Sequence, residues 1–491
     1  MELKKVLANL ENVKAKGKLD IDIQSIESDS RKVKEGTMFV AIRGFEVDGH
    51  EYVNKAIEMG ASAVMVQADS DLKKIALNEN VTLIVVPDTR LALSISACNF
   101  YGNPSRKFKL IGITGTKGKT TTSYMLKKIL EKSEHKVGLI GTIATYIGEK
   151  KLADNERTTP ESLELQKIFA QMVEEKVDTV IMEVSSQSIK LNRIAGCDFD
   201  IGIFTNFSED HISEKEHPDM EDYFNSKAKL FDMCKYGYIN SDDLNVIKVK
   251  KLKPNCDIHT FGIDNACDLL AKDLTVMNTG SDFKVKLDGR NQRVKVCIPG
   301  RFSVYNALAA ISVALKMDVK PENIIEALAE VKVPGRSELI SNSKGLAIMT
   351  DYAHSPESLS SILKAVKTYT TGRTICVFGC GGDRDRTKRP LMGEISGNIA
   401  DFTIITTDNP RTENPMEIIK EIETGMKKTN GKYICIEDRR EAIKYAIDMA
   451  NKKDMIVLAG KGHETYQIIN DEKMPFDERK IVKEIINRKK K

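Results

Sequence analysis

The sequence lacks several features that whole classes of protein require. Its 491 residues contain no tryptophan, only 6% aromatic residues and a formal net charge of +4, whereas nucleic-acid binding requires a basic surface and aromatic platforms for bases. No segment approaches the roughly 18 consecutive apolar residues of a membrane span, and the amino-terminal residues lack the apolar core of a signal peptide. Nine cysteines occur without a C-x-x-C pair, which favours reduced thiols over disulfides or structural zinc. We therefore expect a soluble cytoplasmic protein with no nucleic-acid partner and no membrane span.

The residues that are present indicate a folded α/β protein of about three domains. Hydrophobic residues make up 41% and charged residues 30% of the chain, and these values are typical of globular domains. Turn signals near 102–104 and 333–336 divide the chain into predicted domains 1–104, 105–335 and 336–491. Apolar runs alternate with helical patterns, which predicts a parallel sheet covered by helices in the second domain and a doubly wound sheet in the third. The predicted strands are 38–42, 61–66 and 81–87, then 109–113, 137–142, 178–186 and 200–207, and finally 346–354, 374–382, 401–410, 433–439 and 455–464.

A glycine-rich loop follows the predicted strand 109–113 and leads into the helical pattern 121–132. In this arrangement, backbone N–H groups and the amino terminus of the helix hold phosphate groups. Lys119 is predicted to bind the β- and γ-phosphates, and the hydroxyl of Thr120 to bind Mg²⁺. The standard motif has its first glycine where Ile113 stands, so the loop is a variant, and an ordinary glycine-rich turn is the alternative. The predicted ATP-binding residues here are Gly115, Thr116, Lys117, Gly118, Lys119, Thr120, Thr121 and Thr122.

Acidic and histidine side chains further along the chain are candidate metal ligands. Glu183 ends a predicted strand, at the sheet edge where phosphates should bind, and carboxylate oxygens are preferred ligands of Mg²⁺. A glutamate exposed to solvent is the alternative. Asp210, His211 and His217 follow, but two histidines without a third histidine or a cysteine are weak evidence for zinc. By themselves they are interpreted as surface residues.

Several motifs, in their order and spacing, resemble the Mur ligases over the whole chain: GTKGKTT, MEVSSQ, SEDH followed by YFNSKAKLF, GRFSVYNALAA, DYAHSPESL and DNPR. The segment from Asp29-Ser30-Arg31 also resembles this family's domain for a uridine nucleotide. The resemblance implies a central P-loop ATPase-like sheet, a Rossmann-like carboxyl-terminal domain and a small amino-terminal α/β domain. It also implies a monomeric, ATP- and Mg²⁺-dependent amide ligase of cytoplasmic peptidoglycan precursor synthesis. Its expected substrate is UDP-N-acetylmuramoyl-L-alanyl-D-glutamate (UDP-MurNAc-L-Ala-D-Glu), activated as an acyl phosphate.

The resemblance also assigns roles to individual residues. It makes Lys227 an N6-carboxylysine, whose anionic carbamate would bind a second Mg²⁺ with His211, where an ammonium group would repel the ion. Lys229 is the competing candidate. The implied catalytic residues are Lys119, Glu183, His211 and Lys227, and the implied metal ligands are Thr120, Glu183, His211 and Lys227. Ser30, Thr158, Thr159, Ser185 and Arg193 match muramoyl-peptide contacts, Asn306 and Arg336 match ATP contacts, and His354 matches a position near the nucleotide, with a structural hydrogen bond as its alternative. Arg157, Leu191 and Ser303 depart from the family's usual pattern.

Three loops of the predicted third domain carry charged side chains just beyond strands, at the edge where doubly wound sheets bind ligands. Guanidinium groups bind carboxylates in bidentate fashion, and carboxylates bind ammonium groups. The set therefore predicts a ligand with both charges at its far end, as in meso-2,6-diaminopimelate, and DNPR is also the pattern of the diaminopimelate-adding members. A lysine-adding ligase and structural salt bridges of the arginines are the alternatives. The predicted diaminopimelate-binding residues are Arg384, Asp408, Asn409, Pro410, Arg411, Gly460 and Glu464.

Two functions of other kinds compete with this interpretation. A P-loop motor or regulatory switch would require a basic or aromatic surface for its partner, and the composition argues against one. Folylpolyglutamate synthase shares the central and carboxyl-terminal plan of the Mur ligases. The amino-terminal Asp29-Ser30-Arg31 segment and the DNPR motif favour the muramyl ligase.

Overall fold

Runs of Val, Ile, Leu and Met form the buried strands, because a parallel strand covered on both faces by helices needs apolar side chains on both sides. The computed structural model describes residues 1–45, 47–155, 157–209, 212–213, 216–470 and 472–488. The chain divides into two units, residues 1–119 with 134–260 and residues 120–133 with 261–491. The boundaries at 104 and 335 of the three predicted domains stay a prediction.

The first sheet of the first unit contains the three strands predicted in the amino-terminal segment. Met38 and Val40 pack into one apolar cluster, whereas Phe39 between them packs into the cluster on the opposite face. The strands are β1 (Lys14–Lys16), β2 (Ser25–Glu27), β3 (Thr37–Val40), β4 (Ala63–Gln67) and β5 (Thr82–Val86), and the helices are α1 (Leu3–Val6), α2 (Val53–Glu58) and α3 (Thr89–Phe100). The order is β1-β5-β4-β3-β2, with β2 to β5 parallel and β1 antiparallel. Short 3₁₀ helices lie at Ser30–Lys32, Gly49–Tyr52, Leu72–Lys74 and Pro104–Arg106.

The second sheet of the first unit places three chemically important strand ends side by side. Its strands are β6 (Lys109–Thr114), β7 (Val137–Ile140), β8 (Ala144–Ile147), β9 (Lys150–Asp154), β10 (Thr179–Glu183), β11 (Phe199–Phe204) and β12 (Cys234–Asn240). They are adjacent in the order β12-β11-β6-β10-β7-β8-β9. The strands from β12 to β7 are parallel, as predicted, whereas β8 and β9 add an antiparallel hairpin that the sequence patterns did not predict. Strand β6 therefore lies between β10 and β11.

Helices and short connecting elements complete this region. They are α4 (Lys119–Lys132), which continues into the second unit, α5 (Ser162–Glu174), α6 (Ser186–Lys190) and α7 (Met220–Ala228), with 3₁₀ helices at Lys229–Asp232 and Val246–Leu252. Strand β13 (Asp257–Gly262) pairs in parallel with β14 (Leu269–Leu270). The predicted strands and the helix after the glycine-rich loop are confirmed.

The second unit continues with a three-stranded antiparallel sheet that the sequence patterns also missed. It consists of β15 (Lys272–Met277), β16 (Gly280–Leu287) and β17 (Arg290–Val296), and α8 (Arg301–Lys316) and α9 (Pro321–Glu330) follow it. Phe283, Val285 and Leu287 are buried, whereas the intervening Lys284 and Lys286 are exposed. This alternation is the pattern of a strand with one solvated face.

The carboxyl-terminal sheet has helices on both faces, as predicted for a doubly wound domain. Its strands are β18 (Glu338–Leu339), β19 (Ala347–Asp351), β20 (Thr374–Phe378), β21 (Phe402–Ile405), β22 (Tyr433–Cys435) and β23 (Met455–Ala459), in the order β18-β19-β23-β20-β21-β22. Helices α10 (Pro356–Lys367), α11 (Lys388–Ile399) and α12 (Pro415–Met426) pack on one apolar cluster, and α13 (Arg439–Met449) and α14 (Glu478–Arg488) pack on another. A hairpin of β24 (Tyr466–Ile469) and β25 (Glu472–Pro475) precedes α14.

No helix among the described residues is both long enough and apolar enough to cross a membrane.

A buried ion pair links α13 to α14. Arg439 and Glu478 are both inaccessible to solvent, and Arg439 Nη2 lies 2.8 Å from Glu478 Oε1. Glu478 Oε2 also accepts a hydrogen bond from the Thr350 hydroxyl at 2.7 Å, and Arg439 Nη2 donates to the Ala459 carbonyl at 2.9 Å. Each charge of the pair is therefore satisfied within the core.

Arg439→Met should destabilise the protein much more than Arg440→Met. The first change leaves the Glu478 carboxylate buried without its cation, which costs about 3–5 kcal/mol. Arg440 forms a solvent-accessible pair with Glu484, and losing such a pair costs less than about 1 kcal/mol. Urea unfolding of the two variants measures the difference, and equal midpoints would contradict the importance of the buried pair.

Candidate active site

The phosphate loop predicted at 115–122 follows strand β6 and enters helix α4. Lys119, the first residue of α4, donates from Nζ to the carbonyl oxygens of Gly115 at 2.8 Å and Thr116 at 3.1 Å. Gly115 and Gly118 have φ angles of 142° and 85°, which residues with a Cβ rarely adopt. The loop therefore bends around the Lys119 ammonium group, in the strand, loop and helix arrangement that holds phosphate groups.

Two residues beyond strand β11 hold this loop in place, although no sequence motif identified them. Asn206 accepts a hydrogen bond from the Lys117 N–H and donates one to the Lys117 carbonyl, both at 2.9 Å. The Thr205 hydroxyl donates to the same carbonyl at 2.6 Å. Because β11 neighbours β6, the position of these residues at the strand end was the available signal.

Glu183 is buried, so the alternative of a solvent-exposed glutamate is wrong. It ends β10, the other neighbour of β6, and is 1% exposed. Its Oε1 accepts from the Thr142 N–H at 3.2 Å and its Oε2 from the Thr142 hydroxyl at 2.9 Å. The Thr142 hydroxyl also lies 3.2 Å from that of Thr158. Thr142, which no motif identified, connects a predicted metal ligand with a predicted substrate contact.

Lys227 is the buried member of the two candidate lysines. It is 2% exposed, whereas Lys229 is exposed. Lys227 Nζ donates to the Gly115 carbonyl at 3.0 Å and lies 4.4 Å from the ring centre of Tyr223, one helical turn earlier. The geometry therefore places Lys227, and not Lys229, beside the phosphate loop.

Of the two predicted histidines, His217 lies within the described residues. Asp210 and His211 lie outside the described residues. His217 is fully buried, so its interpretation as a surface residue is wrong. Its ring nitrogens lie 2.6 Å from Asp222 Oδ2 and 2.8 Å from Ser186 Oγ, and burial lowers its pKa. With both nitrogens engaged, His217 is a structural residue.

The described residues contain no group of three or more His, Cys, Asp or Glu side chains that could hold a metal ion.

Residues predicted to contact the muramoyl peptide surround the end of β10. The Thr159 hydroxyl donates to the Glu183 carbonyl at 2.9 Å and accepts from the Ser185 N–H at 3.1 Å. Arg193 Nη1 donates to the Thr159 carbonyl at 3.3 Å, and its Nη2 lies 2.9 Å from Glu161 Oε1. Burial lowers the pKa of Arg193, and Glu161 opposes this shift. Arg193 Nε is buried without a hydrogen-bond partner within the described ranges.

Ser30 is the member of this predicted set that the structure does not bring to the others. It is buried in its 3₁₀ helix, and no hydrogen bond described by the structure joins it to the threonine pair, Ser185 or Arg193. The flanking Asp29 accepts two hydrogen bonds from the guanidinium group of Arg31 at 2.9 and 2.8 Å. Hydrogen bonding to Arg31 lowers the pKa of Asp29 to about 2.

Part of the predicted ATP-binding set lies in the second unit. Thr120, Thr121 and Thr122 are buried at the start of α4. The Thr122 hydroxyl lies 3.4 Å from Oδ1 of the buried Asn306 on α8. This hydrogen bond brings the first turn of α4 to the residue that the resemblance assigned to the ATP base.

Arg336 and His354 share an aromatic neighbour. The Arg336 guanidinium lies 4.9 Å from the ring centre of Tyr352, and the His354 ring lies 4.5 Å from the same ring. His354 Nδ1 is 2.8 Å from the Tyr352 carbonyl oxygen. This contact is a structural hydrogen bond, the alternative role predicted for His354. Arg336 Nε is buried without a hydrogen-bond partner among the residues that the structure describes.

The loops after β20, β21 and β23 meet at one edge of the carboxyl-terminal sheet. The Gly382 N–H donates to the Asn409 carbonyl at 2.9 Å, and Arg411 Nη1 donates to the Gly382 carbonyl at 2.7 Å. Asn409 Nδ2 donates to Glu464 Oε2 at 2.9 Å. The convergence predicted from strand positions is thus present in these contacts.

The side chains of Asp408 and Asn409 face the protein. Asp408 Oδ2 is buried without a hydrogen-bond partner among the described residues, and a Cβ on Gly460 would lie 2.6 Å from it. Asn409 Oδ1 accepts from Lys461 Nζ at 2.9 Å and from the Ile468 N–H at 3.0 Å. Asn409 therefore connects neighbouring loops through its side chain. Lys461 was missing from the predicted set.

The two predicted arginines form no ion pair with any described residue, which contradicts the alternative of structural salt bridges. The Arg384 side chain is exposed, and Arg411 uses one guanidinium nitrogen on a backbone carbonyl. Arg411 has a φ angle of 52°. Its backbone N–H donates to the Ile468 carbonyl at 3.1 Å, and its carbonyl accepts from the Asn470 N–H at 2.8 Å. Pro410 precedes it in the same loop. This edge therefore has guanidinium groups available for a carboxylate.

Comparison with protein families matches three segments of the chain. Family models described as "Mur ligase family, catalytic domain", "Mur ligase middle domain" and "Mur ligase, glutamate ligase domain" match residues 22–101, 113–314 and 335–462. A curated relative from Caldanaerobacter subterraneus subsp. tengcongensis is 49% identical over 473 residues, which cover 96% of each chain. That relative is named UDP-N-acetylmuramoyl-L-alanyl-D-glutamate--2,6-diaminopimelate ligase.

Solved structures share the fold. A structure titled as a UDP-N-acetylmuramoyl-L-alanyl-D-glutamate--2,6-diaminopimelate ligase matches with a TM-score of 0.74 and 28% identity, covering 100% of this chain and 99% of that one. Folylpolyglutamate synthase of Mycobacterium tuberculosis, complexed with ADP and AMPPCP, matches with a TM-score of 0.60 and 16% identity, covering 76% of this chain and 92% of its own. The predicted three-domain α/β fold is confirmed. At 16% identity, the match to folylpolyglutamate synthase shows a shared fold and nothing about function.

Gly115→Ala should weaken nucleotide binding at least about tenfold, whereas Gly148→Ala should not. Both glycines have positive φ, but the φ of 54° at Gly148 lies in the left-handed region that other residues can adopt, whereas the φ of 142° at Gly115 lies in a region that is almost restricted to glycine. A Cβ at 115 would lie 2.0 Å from the Thr205 hydroxyl, whereas a Cβ at 148 meets nothing within 4 Å. Calorimetric titration with ADP and Mg²⁺ measures the affinities. Equal affinities of the two variants would contradict the role of this loop.

Proposed function

Because the chain belongs to the Mur ligase family, we propose that it adds meso-2,6-diaminopimelate to the D-glutamate of UDP-MurNAc-L-Ala-D-Glu with cleavage of ATP. The observation that carries this proposal is the 49% identity, over 96% of both chains, to a relative named for that reaction. The phosphate loop beside Glu183 and the available arginines of the carboxyl-terminal loops support it. The expected place of the reaction is peptidoglycan precursor synthesis in the cytoplasm, by a monomer.

A free carboxylate does not form an amide readily, so the reaction needs an activated intermediate. The γ-carboxylate of D-glutamate attacks the γ-phosphorus of ATP, and the bond from that phosphorus to the oxygen bridging it to the β-phosphate breaks. The products of this step are ADP and an acyl phosphate. The amine of diaminopimelate then attacks the acyl carbon, and phosphate and a proton are released. Lys119 is the cation that we assign to the β- and γ-phosphates, because electrostatic stabilisation dominates phosphoryl transfer. Gly115 to Gly118 hold the phosphates through backbone N–H groups.

Mg²⁺ is the metal that the described donors fit. Glu183 offers a buried carboxylate and Thr120 a buried hydroxyl, and Mg²⁺ prefers oxygen ligands, usually one or two from protein together with phosphates. When bound, the ion neutralises charge on the transferring phosphate. Thr142 orients the Glu183 carboxylate through both oxygens.

Lys227 is the residue that we propose to be carbamylated. Its neutral amine would attack CO₂, forming an N–C bond and releasing a proton, and the product is an anionic oxygen donor. His211 is its proposed partner as a metal ligand, from the sequence alone. The burial of Lys227 beside Gly115 supports this assignment, because it brings the lysine to the loop where the phosphates of ATP are proposed to bind.

The remaining assignments follow the sequence motifs. Ser30, Thr158, Thr159, Ser185 and Arg193 are proposed to bind the muramoyl peptide, and Thr121, Thr122, Asn306, Arg336 and His354 the nucleotide. The buried Arg193 Nε and Arg336 Nε, without partners in the described residues, support these roles, because a buried N–H group without an acceptor is costly unless a ligand supplies one.

Arg384 and Arg411 are proposed to bind the distal carboxylate of diaminopimelate, and Glu464 its distal ammonium group. The lack of an ion pair to either arginine in the described structure supports this assignment. Asp408, Asn409, Pro410 and Gly460 shape the loops that carry these groups. L-Lysine lacks the distal carboxylate, so it would leave two guanidinium groups without an anion.

Phosphate release from ATP with UDP-MurNAc-L-Ala-D-Glu should favour meso-diaminopimelate over L-lysine by at least about 100-fold in kcat/KM. A site whose polar groups match a substrate group discriminates strongly against an analogue that lacks it. Arg411→Met should lower kcat/KM for diaminopimelate and leave that for lysine nearly unchanged. If the wild type prefers lysine, the protein is still a ligase of this family, but the proposed roles of the two arginines are refuted. Folate-dependent phosphate release would instead support a folylpolyglutamate synthase.

Lys227→Ala should lower the ligase rate at least about 100-fold, because an anionic ligand near the phosphates is lost. Lys229→Ala is the matched control, and it should keep the wild-type rate because Lys229 is exposed. Added short-chain carboxylates should partly restore the first variant but not change the second. Carbon-13 NMR of protein equilibrated with labelled CO₂ tests for the carbamate directly, and full activity of Lys227→Ala would refute the proposal.

A further inference from the structure

A buried lysine that was not among the predicted site residues lies between Gly460 and Glu464 in the carboxyl-terminal loop cluster. Lys461 is fully buried, and its Nζ lies 2.9 Å from Asn409 Oδ1 and 3.2 Å from Glu464 Oε2. Lysine is among the residues least often buried completely. When it is, its ammonium group needs a partner to offset the loss of solvation. Here that partner is the carboxylate proposed to bind the amino acid.

The two oxygens of Glu464 are used differently. Oε2 accepts from both Lys461 Nζ and Asn409 Nδ2, whereas Oε1 has no hydrogen-bond partner in the described structure. The Glu464 side chain is 14% exposed, so the carboxylate is not closed off from solvent. The lysine and the amide therefore fix one oxygen and leave the other available to a ligand.

Lys461 is not needed to hold the backbone of its own loop. The Gly460 N–H donates to the Asp351 carbonyl at 3.0 Å, and Arg479 Nη2 donates to the Gly462 carbonyl at 2.9 Å. Asn409 Oδ1 also accepts a hydrogen bond from the Ile468 N–H at 3.0 Å, a contact in which Lys461 takes no part. The ammonium group thus acts on the orientation of Glu464 more than on the path of the chain.

We propose that Lys461 is a positioning residue, which holds Glu464 so that Oε1 accepts a hydrogen bond from the distal ammonium group of meso-diaminopimelate. This inference rests on the proposed function. Without Lys461, Glu464 keeps only the bond to Asn409, and its carboxylate rotates away from the productive orientation. The distal carboxylate of the substrate, bound by the arginines, is unaffected.

The test compares meso-diaminopimelate with 2-aminopimelate, which has the same chain and distal carboxylate but lacks the distal amine. The wild type should prefer diaminopimelate, and Lys461→Met should reduce this preference in kcat/KM about 10- to 100-fold, the range for a hydrogen bond to a charged group. The KM values for ATP and UDP-MurNAc-L-Ala-D-Glu should stay unchanged. Lys367→Met, which removes a surface pair with Asp401, is the matched control and should keep the full preference.

Glu464→Gln tests the same preference for meso-diaminopimelate over 2-aminopimelate by a second substitution. It should lose the preference by a similar factor, and the double variant with Lys461→Met should lose little more, because both changes act on one interaction. Equal losses for diaminopimelate and 2-aminopimelate in Lys461→Met would overturn the inference, since a structural defect or a direct bond to the carboxylate would affect both. A wild type that adds neither compound would instead refute the proposed function.

Discussion

Two ammonium groups share one backbone carbonyl at the centre of the first unit. Lys119 Nζ lies 2.8 Å and Lys227 Nζ 3.0 Å from the Gly115 oxygen, so two cations are brought close together in a largely buried site. Like charges at such distances repel each other in a low-dielectric environment. The phosphate that we propose to bind here would reduce this repulsion, and the proposed carbamate of Lys227 would turn it into attraction. The glycine conformations, Asn206 and Tyr223 all serve to hold this charged arrangement.

The sequence predicted the parallel strands well because both of their faces are buried. Strands such as β6 and β20 therefore appear as continuous apolar runs that need no knowledge of the rest of the fold. The hairpins were missed although β16 carries a readable signal, the alternation of buried Phe283, Val285 and Leu287 with exposed lysines. The choice between Lys227 and Lys229 stayed open in the sequence, and the structure shows that Lys227 is the buried lysine whereas Lys229 is exposed.

Other parts of the candidate site could not be predicted from the sequence. Lys461 meets Asn409 although 52 residues separate them, and that contact depends on how two loops leave neighbouring strands. Asn206 and Thr142 carry no motif and matter only through the residues that they orient. A motif identifies the groups that face a ligand, whereas the residues behind those groups depend on three-dimensional packing.

The carboxyl-terminal domain has charged side chains that pair with each other in the core and others that stay incompletely paired at the loop edge. This difference explains how one domain can be stable and also have the selectivity that we propose. Arg439 and Glu478 satisfy each other in the core, so they contribute to the stability of the domain and leave no group for a ligand. At the loop edge, Arg384 and Arg411 have no ion-pair partner in the described residues, and Glu464 has one oxygen in use and one available. Full pairing there would stabilise the protein but would remove the discrimination between amino acids that we propose for these residues. Selectivity for a ligand with two opposite charges therefore requires that these groups stay incompletely paired and, in the case of Glu464, firmly oriented.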